Sequence, residues 1–343
     1  MPASNHRLSG IDLIRSCAIL IMLIANTLPY GPITEHPSFL RLLCSLAAPL
    51  FIFLSGYSVH LSRERQGWTR YQPALAVLLA AIFVDITAWS MLPFLGFDVL
   101  YLISFGLFIN TALRLRPTMI MLLATFFLIV GTWSMNYLPY RFHIDEIVVS
   151  TNLQSIVEWW SQKPWYRMLL DGWFPVIPWV GFSLLGNAFG HYEKKFDSHR
   201  KTMAIAALSI FLLLCIFRLS NPMEPLRNGY VEIFYPLSLT QVLLSICWVV
   251  FFTLSLSRIS QNIIPMNLIT VIGRKSQLVY IIHAILIGRL ISSKIPIANP
   301  TQLSFVIASL IFVSYLVGYL AETSVVSGYS KRLPPLMRRT LGL

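Results

Sequence analysis

The chain has 343 residues, of which 56% are hydrophobic and only 12% charged, and its mean hydropathy is +0.69. A water-soluble domain carries roughly 25% Asp, Glu, Lys and Arg because its surface faces water, so the composition excludes a soluble globule and points to the bilayer as solvent. The net charge of +12 does not signal nucleic-acid binding, because the basic residues lie in small groups between apolar runs rather than along one polar face.

A spanning helix needs about 20 mostly apolar residues, since hydrocarbon offers backbone groups no water. Runs of this kind lie near 10–28, 40–61, 73–93, 97–113, 118–137, 172–190, 202–218, 234–257, 276–293 and 302–321. They predict an all-α, polytopic transmembrane bundle of about ten spans, with residues 1–343 forming a single domain and no internal repeat. The first run resembles a signal peptide, but it lacks a small-residue cleavage site and begins with Asp12 and Arg15. It is predicted to be a retained span.

Orientation follows from Lys and Arg in the short loops. With the N-terminus in the cytoplasm, eighteen of the 26 basic residues face inward: Arg7 and Arg15; Arg63, Arg65 and Arg70; Arg114 and Arg116; Lys194, Lys195, Arg200 and Lys201; Arg258, Arg274 and Lys275; Lys331, Arg332, Arg338 and Arg339. The other eight (Arg41, Arg141, Lys163, Arg167, Arg218, Arg227, Arg289 and Lys294) fall outside or at outer helix ends. Ten spans then return the C-terminus to the cytoplasm, in what is expected to be a bacterial plasma (inner) membrane. Residues 138–171 form a long outer segment whose Trp159, Trp160 and Trp165 suit the interface. Residues 259–275 are too short to span and are expected as an inner interfacial or re-entrant piece.

Polar groups inside spans cost a few kcal/mol each on insertion scales, so each is a site candidate. Here they are Asp12, Arg15, Asn26, Asp85, Asp98, Asn110, Asn187 and His283. Asp12 and Arg15 share a helix face, either as a structural ion pair or as part of a site. His283 lies well inside its span, as a neutral histidine bonded between helices or as a functional one. Asp85 is expected to pair with a basic or amide group across the bundle. His6, His60, His143, His191 and His199 sit at ends or in loops and read as solvated. Cys17, Cys44, Cys215 and Cys247 all lie in apolar stretches without metal spacing, which gives buried thiols, no disulfide framework and no metal site. His36 is by composition a solvated loop histidine. Its loop is short and stiffened by Pro29, Pro32 and Pro37, which could hold it beside Asn26 over the mouth of the bundle.

Four segments resemble the heparan-alpha-glucosaminide N-acetyltransferase family. They are Arg7 to Asn26, with Asp12 and Arg15 in an R-x4-D-x2-R pattern; Ala48-Pro49-Leu-Phe-Ile-Phe-Leu-Ser55-Gly56; Phe174-Pro175-Val-Ile-Pro178-Trp179-Val-Gly181 through Gly186; and Gly273-Arg274-Lys275-Ser276 through Tyr280 and His283. They occur in family order, and the wider superfamily includes the acyltransferase-3 membrane enzymes. The resemblance implies transfer of an acetyl group from cytoplasmic acetyl-CoA to an amine or hydroxyl on a glycan or lipid-linked sugar across the membrane. It implies His36 and Asn26 as the active-site pair, and Arg15, Arg274 and Lys275 as contacts to CoA. Asp12, His283, Tyr280, Ser276 and Trp179 are further site candidates by position in the motifs. Ser16 and Gln277 depart from the family pattern, as does the stretch from Asp98 through Tyr101 to Ser104.

On this reading His36 is the general base, because its unperturbed pKa near 6.5 suits proton removal from an acceptor. The Asn26 amide would donate to the developing oxyanion. Transfer is direct in a ternary complex, with an acetyl-His36 intermediate as the variant. The rival is a non-enzymatic carrier or lipid-handling protein on the same scaffold. Besides membrane lipid, the expected partners are the acceptor and no nucleic acid; a homo-oligomer is left open.

Overall fold

The computed structural model describes residues 9–33, 36–62, 66–135, 137, 157, 159–161, 163–221, 237–258, 264–292, 295–323, 330 and 332–342. His6, Arg7, Arg63, Arg65, Arg141, His143, Arg227, Lys294, Lys331 and residues 138–156 of the expected outer segment lie outside them.

Each of the ten apolar runs contains helix among its described residues. In order they give α1 (Ser9–Thr27), α2 (Ser38–Cys44) with α3 (Ala47–Leu61), α4 (Gln72–Val84), α5 (Val99–Ala112), α6 (Pro117–Phe126) with α7 (Thr132–Met135), α8 (Val176–Tyr192), α9 (Arg200–Ser220) and α10 (Leu239–Leu256). Then follow α11 (Ile264–Arg274), α12 (Ser276–Leu286), α13 (Pro300–Glu322) and a short α14 (Pro335–Thr340). Wider π turns extend α4 through Asp85–Trp89 and α12 through Ile287–Ile291.

Local chemistry sets the starts. Pro117 and Pro300 open their helices, where a missing N–H costs nothing. Asp98, Ser238 and Asn299 cap α5, α10 and α13 by accepting main-chain N–H groups. α8 begins later than its apolar run because Trp173 and Phe174 donate instead to the carbonyls of Gly96 and Phe97, at 2.8 and 3.0 Å.

Among the described residues seven helical stretches have the length and apolarity to cross a bilayer, and one of them, Val176–Ser220, holds both α8 and α9. Val99–Ala112 and Ser276–Ile291 are shorter apolar helices. The flanks of α9 and α13 present Ile205, Leu213, Ile216, Phe305 and Phe312 outward, all more than 60% exposed. Such apolar surface is stable only against hydrocarbon.

α8 is the axis of the bundle, with Trp179, Val180, Phe182, Leu184 and Ala188 buried against α3, α5 and α6. It lies unusually close to α3. A Cβ built on Gly56 would stand 1.7 Å from the Ser183 carbonyl oxygen, and one on Gly186 would stand 2.0 Å from that of Phe53. Small residues let membrane helices meet backbone to backbone, where packing replaces the absent hydrophobic drive.

The segment expected as interfacial contains α11, whose 11 residues span about 16 Å, too little to cross. It docks on α1 so tightly that a Cβ on Gly273 would meet the Asp12 carbonyl oxygen at 1.8 Å. Ser16 Oγ accepts from the Gly273 N–H at 2.8 Å and donates to the Ile269 carbonyl at 2.7 Å. An undisturbed helix would join those two groups directly, so the hydroxyl is inserted into the last turn of α11.

Candidate active site

At the end of α1 where Arg15 lies, cations meet partners within the protein. Arg15 pairs with Asp12 at 3.1 Å, the ion pair expected of their shared helix face, and donates to Ser58 Oγ at 2.5 Å. Arg274 makes a two-pronged bridge to Glu322 at 2.6 and 2.8 Å and also donates to Thr270. Lys275 is the residue from which α12 starts, and Ser276 is its first helical residue.

Beside Ser58 a cavity of about 570 Å³ opens between the ends of α3, α5 and α8. Its walls carry Val59, Ser62, Gln66, Arg70, Asn110, Thr111, Arg114 and Asn187. Arg114 has no polar partner among the described residues, and the Arg70 guanidinium lies 4.6 Å over the Tyr71 ring with its Nε unpartnered. Asn187 donates to Asn110 Oδ1 at 2.8 Å, Asn110 to Ser183 Oγ at 3.0 Å, and Ser183 meets Ser55 at 3.3 Å. A polar file thus runs from the cavity into the bundle, and the side-chain Oδ1 of Asn187 on that wall is buried without a partner.

Eleven residues along α1 from Arg15, roughly 16 Å by helical rise, a second cluster forms around Asn26. Its Nδ2 lies 3.1 Å from Nε2 of His283, whose Nδ1 faces the Val279 carbonyl at 3.3 Å. Both bonds are satisfied when Nδ1 carries the proton and Nε2 accepts. One N–H of the Asn26 amide is then committed and the other is left to meet a ligand. The His283 ring packs edge-on against Tyr280 at 4.9 Å, and Tyr280 donates its hydroxyl to Asp98. Asp98 works twice, because its other oxygen caps α5 at the Val99 N–H. One turn on, Tyr101 donates to Asp85 at 2.5 Å. Asp85 therefore pairs with a phenol rather than the expected basic or amide group, since Tyr101 comes from the adjacent α5 and fits the same buried space.

The sequence joined Asn26 to His36; here the bonded partner of Asn26 is His283. His36 stands half-buried at the start of α2, and burial together with the positive field of Arg41 pushes its pKa below the ordinary histidine value. Trp179 is 1% exposed and packs against Phe174 and Phe182 in the core. His60 and His191 are not solvated. They are half-buried and stack edge-on at 4.3 Å, because Gly190 opens room for the His60 ring. The cavity arginines carry no motif; only their shared placement at loops on one side of the chain's topology pointed to them.

The model of the heparan-alpha-glucosaminide N-acetyltransferase catalytic domain matches residues 7–221. The chain belongs to this family. The match runs from α1 through α9 and so takes in Asn26, His36, Asp98, Trp179 and the arginine cavity. Family membership makes the protein a membrane-embedded acetyltransferase by kind. Ser276, Tyr280 and His283 lie beyond the matched residues; Tyr280 and His283 are joined to the Asn26 cluster by contact, and no such contact brings in Ser276. No curated protein matches the chain.

Proposed function

We propose that the protein takes an acetyl or other short acyl group from cytoplasmic acyl-CoA and passes it to an amine or hydroxyl of a glycan-type acceptor on the outer side. The observation that carries this reading is the arginine cavity at one end of a polar file, with the Asn26 and His283 pair toward the other end of the bundle. The nucleotide end of CoA is multiply anionic, and its thioester ends a long uncharged arm. Arg70 and Arg114 would bind the phosphates through charge-assisted hydrogen bonds. Asn110, Asn187 and Ser183 offer donors and acceptors along the arm. Arg15 and Arg274, the expected anchors, already hold Asp12 and Glu322, so the nucleotide is assigned to the cavity pair instead.

At the far end, His36 takes the proton of the acceptor. Its lowered pKa keeps it neutral, and so competent as a base, at ordinary pH. Asn26 turns its remaining N–H to the oxyanion of the tetrahedral intermediate, and His283 fixes the amide in that orientation. Collapse of the intermediate expels the CoA thiolate, which recovers a proton, and leaves the acylated acceptor.

Binding of labelled acetyl-CoA to the purified chain tests the donor half. The double variant Arg70→Gln/Arg114→Gln should weaken binding by about 100-fold or more, from the net worth of a hydrogen bond to a charged group at each position, while Arg274→Gln leaves it unchanged. The opposite pattern returns the anchor to Arg274, and no binding in the unaltered chain rejects the transferase. His36→Ala, screened with labelled donor against amine and hydroxyl glycans, should keep donor binding and lose transfer.

A further inference from the structure

Three helix ends meet near His36, and what they bring together is positive charge and unmet hydrogen bonds. α2, α9 and α10 share an apolar floor of Leu42, Leu46, Leu214, Cys215, Leu244 and Trp248. One turn or less outward from that floor stand Arg41 before Leu42, Arg218 after Leu214, and Gln241 before Leu244.

Arg218 is only 6% exposed. Its Nη1 donates to the Asn221 carbonyl at 2.9 Å, just past its own helix, and its Nε is buried without a partner. No carboxylate among the described residues pairs with it. Arg41 lies close enough to bear electrostatically on both Arg218 and His36. Gln241 is fully buried at 0% exposure, yet neither its amide nitrogen nor its amide oxygen has a partner. It sits in the first turn of α10, where Ser238 Oγ takes its main-chain N–H at 3.1 Å and the helix end adds positive partial charge.

A buried guanidinium N–H without a partner and a buried amide with four unused hydrogen-bonding sites, side by side over an apolar floor, are both unfavourable. One guest resolves both problems. We infer that the ends of α2, α9 and α10 form a binding site for a phosphate- or sulfate-type oxyanion. Arg218 Nε and Gln241 Nε2 donate to the anion, Arg41 supplies the second positive charge, and Gln241 Oε1 accepts from a hydroxyl or protonated oxygen on the same group. The anion is carried either by a lipid headgroup or by a soluble molecule arriving at the His36 end. The site stands whether or not the transferase reading does, because it is tested without turnover.

The test uses the full chain, solubilised in a phosphate-free detergent. Native mass spectrometry counts the phospholipids that stay bound, and after delipidation inorganic phosphate is titrated against chloride at fixed ionic strength with the thermal midpoint as readout. A lipid source gives a retained phospholipid that Arg218→Gln loses. A soluble source gives saturable stabilisation by phosphate, with half-saturation at least about tenfold weaker in Arg218→Gln and largely kept in Arg218→Lys. Gln241→Leu guards against a misfolded first variant: it should raise the midpoint of the ligand-free protein, since its unmet amide is gone, and weaken anion binding by about fivefold or more. Neither a retained lipid nor a saturable phosphate effect in the unaltered chain overturns the site. Unchanged binding in Gln241→Leu or Arg218→Gln overturns it equally.

Discussion

Alanine at position 56 should damage both the fold and donor binding through one contact. The added Cβ would lie 1.7 Å from the Ser183 carbonyl oxygen and 3.1 Å from the Asn187 nitrogen. Carbon and oxygen settle no closer than about 3.3 Å, so α3 and α8 must part locally by about 1.6 Å. A gap of half that size already forfeits a quarter to a half of the attraction between facing atoms. Both obstacles are backbone atoms, which cannot rotate away, so the cost falls at the upper end of the overpacking range, about 3 kcal/mol. Ser55, Ser183 and Asn187 straddle the same crossing, so the polar file beside the cavity should break with it. Thermal unfolding in micelles and labelled acetyl-CoA binding are measured side by side, with Gly96→Ala as control, because its Cβ would meet only the Met91 methyl group at 3.7 Å. An unaltered midpoint and affinity in Gly56→Ala, or an equal fall in Gly96→Ala, would refute the reasoning.

His283→Leu should reduce kcat by about 10²-fold, because a freely turning Asn26 forfeits most of an oxyanion contact worth about 3–4 kcal/mol, while acetyl-CoA affinity stays constant. His283→Gln keeps an acceptor for the amide and should restore part of the rate; equal rates in the two variants would remove the positioning role. Burial and Arg41 lower the pKa of His36, so its protonated, inactive form gathers only below the ordinary histidine value near 6.5. The acid limb of the pH–rate profile should therefore lie below that value and move upward in Arg41→Gln, and a profile that stays in place argues against His36 as base. The Arg274 and Glu322 side chains are partly exposed, so a double-mutant cycle should give a coupling of only about 0.5–1 kcal/mol. Donor affinity should be unchanged in Glu322→Gln; tighter binding would mean that Glu322 competes with CoA for Arg274.

Helices were legible because hydrocarbon demands long apolar runs, and Asp98 and the helix-opening prolines mark where such runs begin. Partners were not. Asn26 and His283 stand 257 residues apart, and Tyr280 and Asp98 stand 182 apart, so no spacing rule connects them. Composition placed Asn26 at the end of a span and gave it the nearest loop histidine, whereas packing gave it one from α12. Counting basic residues per loop located the charged rim but not which cations are neutralised, and Glu322 at the end of α13 decides that for Arg274. Ser16 read as a departure from the pattern because a side chain inserted between helical groups of another segment leaves no trace in its own neighbourhood.

That hydroxyl has a consequence for how the protein is made. Ser16 leaves the ribosome 257 residues before Gly273. The last turn of α11 is closed by an atom from α1, which is made well before it, so α11 cannot finish as an independent unit. Until its arrival the Ser16 hydroxyl has the Asp12 carbonyl of its own helix as partner, at 3.0 Å, and the docking of α11 redirects that hydroxyl into a bond between helices made far apart in time.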